Sequence, residues 1–158
     1  MPLYPGAALT VQATRALASA IKPTDQVFNS AVLAPVTGMA LAVPGPGNFE
    51  FTIVAIYSGD TSASAPLTVD VTGPAVTVTA YRLYVQGSNT SKTENGKTAF
   101  ASSVTGTAVA TGGSQYVVIA QGALVATAAG TIQLEAATDG VHTNTVYAGS
   151  YAVLRELI

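Results

Sequence analysis

Apolar and polar residues take turns along most of this chain, and turn signals cut the alternation into short runs. No other feature restricts the fold as much, because side chains repeat every two residues only in an extended strand. In Phe49-Glu50-Phe51-Thr52-Ile53-Val54-Ala55-Ile56-Tyr57, positions 49, 51, 53, 55 and 57 fall on one face of such a strand. Leu67, Val69 and Val71 alternate with Thr68, Asp70 and Thr72. Val76 and Val78 alternate with Thr77 and Thr79 and lead into Tyr81, Leu83 and Val85. Tyr116–Ala120, Ile132 with Leu134, and Val146–Leu154 continue the series.

The punctuation agrees with this reading. Pro44-Gly45-Pro46-Gly47-Asn48 is a turn that neither a helix nor a central strand crosses. Ser58-Gly59-Asp60, Gly73-Pro74, Gly112-Gly113 and Asp139-Gly140 break the chain again. Glu94-Asn95-Gly96-Lys97 is the expected tip of a tight hairpin, with opposite charges beside an Asn-Gly turn. About eight to ten short strands separated by turns imply an all-β sandwich, a jelly roll, or a closed barrel. At 158 residues the chain fits one domain with a core of its own.

Residues 1–24 differ from the rest. Pro2, Pro5 and Pro23 bracket them, and Thr14–Ile21 is open to two readings, a short helix or an extended arm. In the second reading Leu9, Val11 and Ala13 alternate with polar neighbours, and only Arg15 and Lys22 carry charge. Such an arm gains by docking against another subunit or surface. Leu3, Tyr4, Leu9 and Val11 are therefore the candidate partner-binding residues, in an arm (1–24) preceding a domain (25–158).

Function classes narrow by charge. Six Lys or Arg and eight Asp or Glu make 9 % of the chain, with a formal net of −2, against a usual share of about 25 %. The six bases are scattered from Arg15 to Arg155, which argues against nucleic acid. Thr, Ser, Gly and Gln interrupt every apolar run, so no membrane-spanning helix is expected. The amino terminus shows no basic segment followed by an apolar run, and no signal peptide is expected. A chain this poor in charge is expected to hide surface against neighbours.

Chemistry-bearing clusters are scarce. The lone histidine, His142, lies in the turn-like Asp139-Gly140-Val141-His142-Thr143-Asn144, and no nucleophile-elbow sequence accompanies it. Asp60, Asp70, Glu94, Asp139 and Glu156 are widely spaced, with no metal-binding pattern. No cysteine is present, and no glycine-rich phosphate loop opens a helix. The expectation is a non-enzymatic protein without cofactor, its tyrosines serving core or interface.

The order of elements resembles virion proteins of tailed bacteriophages that carry a jelly roll like that of tumour-necrosis-factor-type trimers. The resemblance runs from Leu33-Ala34-Pro35-Val36-Thr37-Gly38-Met39 through the aromatic strand Phe49–Tyr57 to Gly130-Thr131-Ile132-Gln133-Leu134-Glu135-Ala136 and Ala148-Gly149-Ser150-Tyr151. It covers roughly residues 25–158, and departs from the pattern in having no Trp near Ala136. It implies a homotrimer with the major capsid protein as partner, at the capsid surface of the virion, decorating (cementing) the head. The arm is then the expected capsid-facing element. A tail-fibre or receptor-binding module that recognises a host-surface glycan or protein is the alternative.

Overall fold

The strand with the strongest alternation is also the structural centre. In the computed structural model, which describes residues 14–60, 66–88, 91–106 and 114–158, β4 (Gly47–Gly59) buries Phe49, Phe51, Ile53, Ala55 and Tyr57. The described residues contain no helix. Before β4 come β1 (Thr14–Ile21), β2 (Gln26–Phe28) and β3 (Ala34–Val43). After it come β5 (Thr68–Thr72), β6 (Val76–Gln86), β7 (Lys92–Lys97) and β8 (Val104–Thr105). The last four are β9 (Tyr116–Ala126), β10 (Gly130–Ala137), β11 (Asn144–Val146) and β12 (Tyr151–Leu157).

All pairings are antiparallel. One sheet runs β1-β12-β4-β9-β6-β7, with β11 and β2 continuing beside β4 beyond the end of β12; the other runs β3-β10-β5-β8. The pairs β1–β12, β3–β10 and β4–β9 are nested in sequence, as they are when one long hairpin is rolled over on itself. The result is a jelly-roll sandwich. Its core lies between the sheets, with Met39, Leu41, Ile132 and Leu134 from one side meeting Phe51, Ile53, Leu83 and Leu154 from the other. Each such large apolar side chain contributes about 1.5–3 kcal/mol when removed from water.

Thr14–Ile21, open to two readings in the sequence, is extended. As β1 it pairs with β12 from Thr14↔Leu157 to Ile21↔Tyr151, with a bulge between Ala16 and Ala18. The Asn95-Gly96 pair is not a hairpin tip. It lies inside β7, opposite Leu83 and Arg82, and the β6–β7 connection is made earlier. There Gly87 N–H and Ser88 N–H both donate to Ser91 C=O, and Ser88 Oγ accepts from Ser91 N–H. A Ser-rich turn with its own side-chain acceptor closes the hairpin, which frees Asn-Gly to pair as an edge strand. The alternation in β6 changes phase as well. A bulge against β9 between Val76 and Val78 turns Val78 outward (58 % exposed) and Thr79 inward (4 %).

Gly122 of β9 faces Phe51 of β4 and Tyr81 of β6. A Cβ added there would stand 2.3 Å from both the Ala80 carbonyl oxygen and Tyr81 Cβ, so any side chain forces backbone apart at the sheet's centre. Gly122→Ala should cost about 2–3 kcal/mol by overpacking. That lowers Tm by roughly 5–10 °C in a domain of this size. A thermal melt followed by circular dichroism checks this, and an unchanged Tm would remove the close-approach account.

Candidate assembly surface

The two outward faces of the sandwich differ in character. On the β3-β10-β5 sheet the outward residues are small or polar: Ala40, Ala42, Thr131, Gln133, Glu135, Thr68 and Thr72. The larger sheet points bulkier side chains at solvent. Its register aligns Ile21, Tyr151, Val54, Ile119 and Tyr84 in one apolar row across β1, β12, β4, β9 and β6. Ile21 is 71 % and Tyr151 43 % exposed. The next row is polar, with Ser19, Thr52, Gln121 and Arg82 around Val153. Toward the far end, Leu157, Val125 and Val78 share an apolar corner.

The charged groups on this face lie beside opposite charges. Arg155 Nη1 meets Glu50 Oε1 at 3.1 Å, and Arg82 Nη1 meets Glu94 Oε1 at the same distance. Lys92 lies 3.6 Å from Glu94 and 5.7 Å from the centre of the Tyr84 ring. Exposed pairs of this kind contribute little to stability, about 0–1 kcal/mol each. Their consequence is that the face carries β-branched and aromatic surface with each of these three cations beside a carboxylate, Arg82 and Lys92 sharing Glu94.

The tyrosines divide between core and surface. Tyr57, Tyr81 and Tyr116 are buried. Tyr57 OH donates to the Gln86 carbonyl and Tyr81 OH to the Ala99 carbonyl. Burial pushes both phenols to higher pKa, Tyr81 to about 12. Tyr147 OH bonds Ser58 Oγ at 2.8 Å. Tyr84 and Tyr151 are left on the outward face.

The Ala148-Gly149-Ser150-Tyr151 segment of the sequence pattern has a local physical cause. Gly149 takes φ +84 in the turn between β11 and β12, a conformation that favours glycine. Ser150, fully buried, donates through Oγ to Tyr147 C=O and accepts there from Ile56 N–H. The same turn ties down the β1–β2 corner: Lys22 N–H donates to Ser150 C=O, and Gly149 N–H to Lys22 C=O. Lys22 itself is buried, its Nζ donating to Gln26 Oε1 at 3.1 Å and Thr37 C=O at 3.2 Å. Burial lowers its pKa, opposed by the nearby Asp25 carboxylate. No sequence signal marks this burial, since Lys22 stands beside Pro23 in a stretch without clear periodicity.

Beyond the same end of β4, the loop 138–143 holds His142. Asp139 Oδ1 accepts from Val141 N–H and His142 N–H, and Oδ2 meets His142 Nδ1 at 2.6 Å. Asp60 Oδ2 accepts from Thr143 N–H, fixing the loop to the end of β4. The imidazole bonds to no serine or threonine hydroxyl among the described residues, so Asp139 and His142 form a pair without a nucleophile. The described residues hold no group of three or more metal-ligating side chains. The Asp-x-x-His spacing is the sequence signal for this contact. Leu3, Tyr4, Leu9 and Val11 lie outside the described residues.

No family model matches the chain, and no curated protein matches it. Among solved structures, it is similar to a chain from the structure of the infectious bursal disease virus Gx strain, at 13 % identity and a TM-score of 0.24. The match covers 100 % of this chain and 46 % of that one, so this chain spans less than half of that protein's length. A TM-score this low bears on neither fold nor function.

The hydrogen bonds that Asp139 accepts, chiefly from His142, hold its carboxyl down at about 2. The free carboxyl titrates near 3.9. The carboxylate's contribution to the loop is thus present above that value and lost as pH falls through about 2. An NMR titration should show the Val141 and His142 amides shifting together as Asp139 is protonated, with a midpoint near pH 2. A midpoint near 4 would mean that these bonds do not form in solution.

Proposed function

We propose that this chain is a structural, non-catalytic component of a tailed-bacteriophage virion. In this reading it is a capsid decoration protein that binds the outside of the head as a homotrimer and stabilises the lattice. The phage assignment is supported by the resemblance carried by residues 33–39, 49–57, 130–136 and 148–151. The observation that carries the assembly role is the contrast between the faces: one sheet presents small and polar residues to solvent, the other a row of Ile, Tyr and Val flanked by paired charges. A face of this kind suits burial between copies of the chain about a threefold axis. Burial stabilises by about 25 cal/mol per Å² of apolar surface, and a standard interface buries about 800 Å² on each partner. Three copies bound together then hold the capsid by avidity, even where each contact is weak.

A specific feature favours a second reading, a tail-fibre or receptor-binding module. Val32 (73 % exposed) and Val141 (83 %) sit on two neighbouring loops. The loops are joined by Thr138 N–H donating to Ser30 C=O. Apolar tips on loops braced by Asp139 and Asp60 suit contact with a host-surface protein or glycan.

Two measurements test these readings. By sedimentation equilibrium the chain should have about three times its 15.8 kDa mass. Ile119→Glu, in the middle of the apolar row, should sediment at single mass with its β-sheet circular dichroism intact. A trimeric Ile119→Glu variant would move the interface elsewhere. On the parent particle, antibody label should spread over the head. Label confined to the tail would replace decoration with the receptor-binding reading.

A further inference from the structure

The larger sheet has an incomplete edge. β6 pairs with β9 from Val76 to Val85, but β7 pairs with β6 only from Tyr81 to Gln86. Past Lys97 the chain leaves the sheet and turns toward β5, where Ala101 N–H donates to Val71 C=O. Residues 76–80 therefore have no strand on their outer side among the described residues. A groove of about 620 Å³ runs along this gap between β6 and Thr98–Phe100. Thr79 borders it, and its buried Oγ1 has no hydrogen-bond partner. A backbone edge without a partner, an apolar groove beside it and an unpaired buried hydroxyl together describe a place for one more strand.

We propose that the amino-terminal segment of a second copy, residues 9–13, occupies this edge as an added β-strand. In Leu9-Thr10-Val11-Gln12-Ala13 apolar and polar residues alternate, and no residue is charged. Added to β6, such a strand turns Leu9 and Val11 outward to extend the corner of Val78 and Val125. Thr10 and Gln12 then turn inward, bringing a hydrogen-bonding group toward Thr79 Oγ1. The strand also pairs the backbone groups left open at 76–80.

Chain reach decides which copy supplies it. Thr14 pairs with Leu157 at the edge of the sheet opposite β6. The vacant position beyond β6 is five strand spacings from β1, about 24 Å at about 4.8 Å each. Leu9, five residues before Thr14, reaches at most about 17 Å, and Val11 about 10 Å. A chain cannot lay residues 9–13 on its own β6, so the strand is exchanged between copies. The inference needs contact between copies and does not rest on the phage assignment. It gives Leu9 and Val11 a partner of the same sequence.

The absence of cysteine makes the test direct. Full-length Val11→Cys and Leu9→Cys proteins are each mixed with full-length Val78→Cys protein under mild oxidation, since side chains on paired strands stand within disulfide range. At least one mixture should form the mixed disulfide dimer at least tenfold faster than the same arm variant mixed with Thr131→Cys, on the opposite sheet. A rate equal to that control in both mixtures overturns the proposal. So does a disulfide that forms only within one chain of the Val11→Cys/Val78→Cys double variant. As a second readout, amide hydrogen exchange at 77–80 in the full-length wild type should speed up on dilution to monomer, while 82–85 stay protected. Exchange at 77–80 independent of concentration would count against exchange of the strand.

Discussion

Everything in this sandwich hangs on β4. Its thirteen residues are hydrogen-bonded along their length to β9 on one side, and to β12 and then β11 on the other. It holds the middle of the larger sheet while its inward residues supply much of the core. A strand paired on both sides leaves no backbone group unpaired, and its register then sets which residues of β9, β12 and β6 face out. The apolar row from Ile21 to Tyr84 is thus a consequence of β4's register. A slip of one residue would exchange Val54 and Ile119 with core positions.

The chain ends are fastened by polar contacts. Lys22, Gln26 and Thr37 link the β1–β2 corner to β3, and Ser150 with Gly149 links it to the start of β12. The first described strand pairs with the last, Thr14 with Leu157, across nearly the whole described chain. Pairings so distant in sequence close slowly, because loop entropy must be lost before contacts compensate. The buried lysine and serine specify where that closing strand lands, and with it the point from which residues 1–13 depart.

The two functional proposals share one physical theme. A chain with few charges has two ways to stay unaggregated: cover its apolar surface with copies of itself, or guard its strand edges. Here the guarding is uneven. β7 is a polar edge, rich in Lys, Glu and Asn, and protects Tyr81–Gln86 of β6. Val76–Ala80 are not covered in the same way. Phe100, packed on Tyr81 and Phe51, closes the core behind that gap without pairing its backbone. An edge closed at the core and open at the backbone suits a partner strand.

Alternation and turn residues alone determined the all-β class, the strand at 49–57, the break that begins at Pro44 and the phase of β5 and β10; the break is shorter than the expected Pro44–Asn48, because Gly47 and Asn48 already pair with β9. Those signals are local: a residue two positions away suffices to read which side is buried. Tertiary pairing decided the rest. The polar Lys92–Lys97 is a strand only because β6 lies beside it, although Asn95-Gly96 alone favours a turn. Thr14–Ile21 is extended because β12, at the other end of the chain, supplies its hydrogen bonds. The bulge that exposes Val78 and buries Thr79, the burial of Lys22 and the open edge of β6 likewise depend on partners distant in sequence. No periodicity encodes a partner, and so the apolar row across the larger sheet and the uncovered edge of β6 became visible only once the strands were placed side by side.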